Sequence, residues 1–248
     1  MRYLMLLLCF AATPCIAEAK ELQTGAQQLV TQPDISPVEL KAKHIALVVN
    51  QSSIVGDTHL LELLLQQDLT VKTVFSPEHG FRGTADAGAK VDNSIDPQTG
   101  VAVLSLYGKN KKPTAETLKD IDLLIFDLQD VGVRYYTYLS TLHYVMEAAA
   151  AQNILLLVLD RPNPNGAYVD GPVLDKDYQS FVGLHPIPLL HGMTLGELAL
   201  MIKGEGWINK AEQLKLYVLP VKHYQRDMPY DLPCLLYTSD AADDSLRV

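Results

Sequence analysis

From about residue 44 onward, short all-apolar runs alternate with stretches whose apolar positions recur at helical spacing. His44 to Val49 reads as a strand and ends in Asn50-Gln51-Ser52-Ser53; Leu69 to Phe75, Val101 to Tyr107, Asp122 to Asp127, Asn153 to Leu159 and Leu214 to Val218 repeat the pattern. Between them, Thr58 to Gln67 carries leucines on one helical face, and Thr114 to Ile121 predicts a short helix opened by Pro113 and Thr114. A longer helix is predicted over roughly Thr137 to Gln152. Thr194-Leu195-Gly196-Glu197 fits a capping box opening a helix that runs to Lys203. Strands that are apolar throughout, rather than alternating, are buried on both faces, as parallel strands are. The pattern therefore predicts an α/β protein with a Rossmann-like, doubly wound, mainly parallel sheet.

The two ends depart from this pattern. Met1 to Ala19 has a basic Arg2, an apolar stretch from Leu4 to Ala12 too short to span a bilayer, and a small-x-small site at Ala17-Glu18-Ala19. It reads as a signal peptide, giving an exported chain, periplasmic or secreted, with no stable membrane anchor; Pro14 makes Cys15 a poor lipidation site. Cys234 to Val248 neither continues the preceding pattern nor starts a recognisable element. It resembles translated adapter sequence, so the natural chain is expected to continue past Pro233. The expected organisation is a signal peptide over 1–19, a catalytic domain over 20–220, the start of a truncated C-terminal domain over 221–233, and a non-native tail over 234–248.

This division changes the meaning of the composition. The three cysteines, Cys9, Cys15 and Cys234, all fall in the end segments, which leaves the body without a disulfide, a thiol nucleophile or a cysteine metal site. Of the net charge of −9, about −7 belongs to the body, and an acidic chain without clustered Lys and Arg is not expected to bind nucleic acid.

Ligands of doubly wound sheets bind at the carboxyl ends of the strands, and four polar loops sit there: Asn50-Gln51, Glu78-His79 with Arg82, Asp127 to Arg134, and Asp160-Arg161-Pro162-Asn163. The aperiodic stretch from Gly83 to Gly100 is a candidate lid or cleft-lining loop. No G-x-G-x-x-G or Walker loop is present, nor an H-E-x-x-H motif, so no cofactor and no metal is expected, although Glu78, His79, Asp127, Asp160 and His191 leave a metal-dependent hydrolase open. Gln129 stands where an Asp-x-Asp phosphatase needs its acid. What remains is carboxylates with arginines and tyrosines. Glu78 and one of Asp127, Asp130 or Asp160 could supply the two carboxyl groups of glycoside hydrolysis. Arg82, Arg134 and Arg161 suit an anionic ligand, and Tyr135, Tyr136 and Tyr138 offer sugar-stacking faces. Simpler readings compete: Asp127 capping the next element with Arg134 as its ion-pair partner, Asp160 paired with Arg161, one of Tyr135 and Tyr138 in the core, and His59 and His143 structural.

Four segments then carry a resemblance. Ser76-Pro77-Glu78-His79-Gly80-Phe81-Arg82-Gly83, Phe126 to Tyr138, Leu159-Asp160-Arg161-Pro162-Asn163-Pro164 and His191-Gly192-Met193-Thr194 together resemble the NamZ-type exo-β-N-acetylmuramidases, over about Leu40 to Met228. The resemblance implies a glycosidase that removes β-linked N-acetylmuramic acid from the non-reducing ends of peptidoglycan fragments. It also implies a Rossmann-like domain beside a smaller C-terminal one, with the cleft between them. Glu78 becomes the leading catalytic acid, with Asp127 and Asp160 as further catalytic candidates. Asn50, His79, Arg82, Gln129, Arg134, Tyr136, Arg161, Asn163 and His191 are the candidate contacts to muramic-acid sugars. A non-catalytic periplasmic muropeptide-binding module is the alternative from another class.

Overall fold

The computed structural model describes residues 21–83, 92–108 and 110–233. The expected signal peptide and the non-native tail lie outside the described residues, as does part of the Gly83–Gly100 stretch. In chain order the elements are α1 (Gly25–Thr31), β1 (His44–Val49), β2 (Ile54–Val55), β3 (Thr58–His59), α2 (Leu60–Gln66), β4 (Thr70–Ser76), β5 (Ser94–Ile95), β6 (Ala102–Ser105), β7 (Leu123–Asp127), α3 (Tyr138–Gln152), β8 (Leu155–Leu159), β9 (Val169–Asp170), β10 (Leu190–His191), α4 (Leu195–Gly204) and β11 (Lys215–Leu219). Seven strands form one sheet in the order β11-β8-β7-β1-β4-β6-β5, parallel throughout except for the edge pair β5–β6. Counted in chain order, the six parallel strands lie 3-2-1-4-5-6, the Rossmann arrangement, whose switch point falls between β1 and β7.

The apolar residues of the central strands are buried on alternate faces. Ala46, Val48, Leu124, Phe126, Leu156 and Val158 pack with the apolar sides of α3 and α4. Ile45, Leu47, Val49, Leu123, Ile125, Leu157 and Leu159 pack with Ala26 and Leu29 of α1 and Leu60, Leu61 and Leu64 of α2. This two-sided cover is why the strands read as unbroken apolar runs. Each fully buried Leu, Ile or Val contributes about 1.5–3 kcal/mol over its exposed state. Among the described residues no helix is long and apolar enough to cross a membrane.

Three expectations are corrected. Residues 114–121 form successive turns rather than a helix: Leu118 N–H reaches Thr114 O, but Lys119 and Ile121 bond only three residues back, and Asp120 turns left-handed (φ 60°) to feed β7. So few residues between Pro113 and a strand start cannot offset the cost of helix nucleation. The described part of the candidate lid is not free loop. Ser94–Ile95 pairs with β6, and Asp96 closes a turn with Gly100 and Val101. Finally, α1 was not anticipated, although Thr24 and Gln27 form a complete capping box that opens it. Residues 222–230 run back along the carboxyl edge of the same sheet, where Lys222 pairs with Gln23 and the Tyr224 hydroxyl donates to Asn163 O (3.0 Å).

Candidate active site

The carboxyl edge of the sheet divides into two neighbouring regions. The first is the switch-point crevice, where the strand-end loops after β1, β7 and β8 meet. Arg161 turns its guanidinium onto Asp127 in a bidentate pair, Nε to Oδ1 at 2.5 Å and Nη2 to Oδ2 at 2.9 Å. Asp127 is 0% and Arg161 4% exposed. Burial pulls the Arg161 guanidinium's pKa down, but the charge and hydrogen bonds of Asp127 outweigh it and the net shift is upward.

The neighbouring side chains are equally committed. Asn50 Nδ2 donates to the Tyr138 hydroxyl (2.7 Å), and its Oδ1 accepts from Ser52 N (2.9 Å) and Oγ (2.6 Å). Gln129 Nε2 donates to Asp130 O and Pro162 O, both at 2.8 Å, while its Oε1 accepts from the Tyr230 hydroxyl (3.1 Å). Asn163 spans from Met193 O to Asn165 N. Asp160 caps α4, accepting from Thr194 Oγ1 (2.7 Å), Gly196 N (2.8 Å) and Arg161 N (3.0 Å); burial still raises its carboxyl to about 6. His191 accepts from Met193 N through Nδ1, and burial pushes its pKa down to about 4.

These positions were candidates for catalysis or sugar contact. In the structure Asp127, Asp160, Asn50, Gln129, Arg161, Asn163 and His191 all make hydrogen bonds within the strand-end loops. The ion pair also differs from either pairing read from sequence: Arg161, not Arg134, meets Asp127, and Asp160 meets a helix N-terminus. Arg134 instead donates Nη1 to Pro172 O (2.7 Å) and Ile187 O (2.6 Å), fastening residues 172–187. Arg82, expected to meet an anionic ligand, is held by carboxylates of its own chain: Asp96 on both oxygens (3.2 and 3.1 Å) and Glu62 (3.1 Å), with its guanidinium 4.6 Å above the Phe81 ring.

The second region begins at the end of β4. Pro77 O accepts from Gly80 N–H, and consecutive left-handed residues, His79 (φ 70°) and Gly80 (φ 79°), turn the chain sharply after Glu78. A histidine in that conformation is uncommon and marks a turn held by its surroundings. Glu78 is half-buried. Its Oε2 accepts from Thr137 Oγ1 (3.2 Å), just ahead of α3. The Tyr107 phenol, beyond the end of β6, also hydrogen-bonds to Glu78; that bond, with burial, raises the phenol's pKa. Tyr138 stands behind, its hydroxyl pushed up to about 12 by burial first, with the charges of Glu78 and Asp130 adding to the shift. The Tyr136 ring packs edge-on against it at 4.7 Å.

The structure thus gathers Glu78, His79, Tyr136 and Asp130 from the sequence candidates and adds Tyr107 and Thr137. Asp130 is 7% exposed; its Oδ1 accepts from Gly132 N (2.7 Å), and burial raises its carboxyl to about 7. Tyr107 follows an apolar strand just as Glu78 does, and that position was the signal available for finding it. Among the described residues no group of three or more His, Cys, Asp or Glu side chains could hold a metal ion. Chemically, the second region offers a half-exposed carboxyl with two hydroxyl donors and an edge-to-face tyrosine pair, suited to proton transfer beside a sugar ring.

A family model described as "Exo-beta-N-acetylmuramidase NamZ, N-terminal" matches residues 45–242. The chain is 47% identical over 220 residues to a Bacillus subtilis protein named peptidoglycan β-N-acetylmuramidase NamZ, an alignment covering 87% of this chain and 51% of that one. Two crystal structures of DUF1343 family proteins from Bacteroides fragilis superpose with TM-scores of 0.75 and 0.76, at 45% and 38% identity. They match 86% and 88% of this chain and 56% and 54% of theirs. The chain therefore spans about half the length of the relatives it matches. By the extent of the model match and the identity to these relatives, it belongs to the exo-β-N-acetylmuramidase NamZ N-terminal family.

Proposed function

We propose that this chain carries the acid-bearing wall of an exo-acting glycosidase that releases β-linked N-acetylmuramic acid from the non-reducing ends of peptidoglycan fragments. The observation that carries the reading is Glu78. It is a carboxyl group at a strand's carboxyl end that keeps an exposed side and is oriented by Thr137 and Tyr107. Glu78 protonates the leaving glycosidic oxygen as the anomeric C–O bond lengthens, and the sugar passes through an oxocarbenium-like state. Thr137 and Tyr107 hold the carboxyl in one rotamer so that its proton faces the sugar. Tyr136 supplies a ring face for stacking. The name of the Bacillus subtilis relative supports the substrate class. Such a substrate lies outside the cytoplasmic membrane, and the pattern of Met1 to Ala19 supports export to the periplasm or beyond.

Incubation with a chromogenic β-N-acetylmuramide tests the reading. The chain should release N-acetylmuramic acid, and Glu78→Gln should lower kcat by a factor of about 10² to 10⁴, the usual worth of a positioned acid, while calorimetric binding of the sugar is retained. A non-catalytic muropeptide-binding module gives the opposite signature. Sugar would bind equally to both forms with no product from either, and that result would replace hydrolysis with recognition.

A further inference from the structure

Glycoside hydrolysis of this kind uses two carboxyl groups, one to protonate the leaving oxygen and one to take the proton of the attacking water or to attack the sugar itself. With Glu78 as the acid, three aspartates at the carboxyl edge compete for the second place. Two are committed elsewhere. Asp127 gives both oxygens to the guanidinium of Arg161 and has no exposed surface. Asp160 gives both oxygens to the start of α4 and to the backbone of Arg161.

Asp130 is different. Oδ1 is fixed by Gly132 N (2.7 Å). Oδ2 is buried and has no hydrogen-bond partner among the described residues. A buried carboxylate oxygen without a donor costs roughly 1–3 kcal/mol or more, and such an orphan in an otherwise well-satisfied edge calls for an explanation. Burial dominates the shift of this carboxyl, opposed by two backbone N–H groups. The charges of Asp130 and Glu78 both act on the Tyr138 hydroxyl, so the two carboxyls neighbour one phenol. The gap in the hydrogen bonding thus lies in the same cluster as the acid, not in a remote part of the fold.

We propose that Asp130 is the second carboxyl group of the site, its Oδ2 receiving the proton of the attacking water while Glu78 delivers one to the leaving oxygen. This rests on the glycosidase reading above. The bonds balance as follows. A water O–H bond breaks and its proton goes to Asp130 Oδ2, while the water oxygen bonds to the anomeric carbon. The glycosidic C–O bond breaks, and its oxygen takes the proton of Glu78. Exchange with solvent then restores both carboxyls. A carboxyl raised to about 7 is matched to that task at neutral pH, since it accepts a proton strongly yet is substantially ionised there.

The test compares wild type, Glu78→Gln and Asp130→Asn on the chromogenic muramide, with and without azide. Asparagine keeps an oxygen for Gly132 N–H, so the turn should survive and unfolding should stay cooperative. In Asp130→Asn, kcat should fall at least 100-fold while KM changes less than about threefold. Azide, which needs no base, should restore turnover and yield a glycosyl azide. The acidic limb of the wild-type pH profile of kcat/KM should disappear from the rescued variant. Wild-type turnover in Asp130→Asn overturns the assignment while leaving Glu78 in place. A loss that azide does not rescue, with the acidic limb retained, gives Asp130 a purely structural place in the turn and also overturns it. No turnover in the wild type defeats the glycosidase reading itself, and this proposal with it.

Discussion

Two carboxylates stand three residues apart at the end of β7, and the protein treats them in opposite ways. Asp127 is met by a guanidinium that satisfies both its oxygens, in a crevice closed further by Asn50, Gln129 and Tyr230. Asp130, facing the same phenol as Glu78, keeps one oxygen without a donor. The crevice is the switch point, where doubly wound sheets ordinarily place a ligand. Here it is filled by side chains, and the groups fit for proton chemistry lie one strand over, toward β4 and β6. Polar residues at a strand end therefore do not by themselves mark a site. What separates Asp127 from Asp130 is whether the chain supplies a partner for both oxygens.

The largest effect should come from breaking the closed region. Arg161→Met strands a fully buried carboxylate and is expected to cost about 3–5 kcal/mol in urea unfolding, whereas Asp127→Leu combined with Arg161→Met should recover most of that loss. Glu78→Gln, in the open region, should change stability by less than about 1 kcal/mol, as a half-buried position does. Similar losses from Arg161→Met and Glu78→Gln would erase the distinction.

Next in size is the pH dependence of stability. The Asp130 carboxyl sits at about 7 in the folded chain, against about 3.9 when unfolded. Between those values the folded state holds a proton that the unfolded state releases. This contribution is fully favourable below about pH 4 and is lost as pH rises through 7, on the order of 4 kcal/mol at most. Asp160, at about 6, acts in the same direction over a narrower window. His185 and His191, buried neutral and pushed to about 3 and about 4, act oppositely, so their contribution is lost as pH falls below the usual histidine range. Melts of wild type and Asp130→Asn from pH 4 to 8 should diverge steadily, with the variant gaining on the wild type as pH rises. Parallel curves would remove Asp130 from the titration.

A smaller loss is expected at the start of α4. Thr194 Oγ1 accepts from Glu197 N (3.2 Å) and donates to Asp160 Oδ2 (2.7 Å). Thr194→Ala should cost about 1–2 kcal/mol without altering kcat, because Asp160 belongs to the structural set.

The same contrast explains what could be read in advance. The parallel strands, α3 and α4 were legible because burial on two faces leaves continuous apolar runs, and a capping box marks α4. The Glu78 loop was legible because Pro77 and Gly80 bracket a charged pair at a strand end. Residues 114–121 misled because Pro113 and Thr114 look like a helix start, while Asp120 ends the segment too soon. Long-range partnerships were not legible. Nothing local says that Arg161 folds onto Asp127, 34 residues away, or that Arg82 is taken by Asp96 and Glu62. Tyr107 escaped notice because it was counted as the last residue of a strand.

Tyr230 gives the smallest and most discriminating expectation. It lies beyond β11, yet its hydroxyl donates to Gln129 Oε1 (3.1 Å), and it also hydrogen-bonds the guanidinium of Arg161. It touches both sides of the closed crevice without being part of the ion pair. Tyr230→Phe keeps the ring and removes only these bonds, so the expected loss is about 0.5–1.5 kcal/mol, read from urea midpoints at unchanged m-value. A loss in that range makes the residues after β11 part of what closes the switch point. No loss at all would mean that the Asp127–Arg161 pair seals it alone, and that Tyr230 merely rests on a crevice already shut.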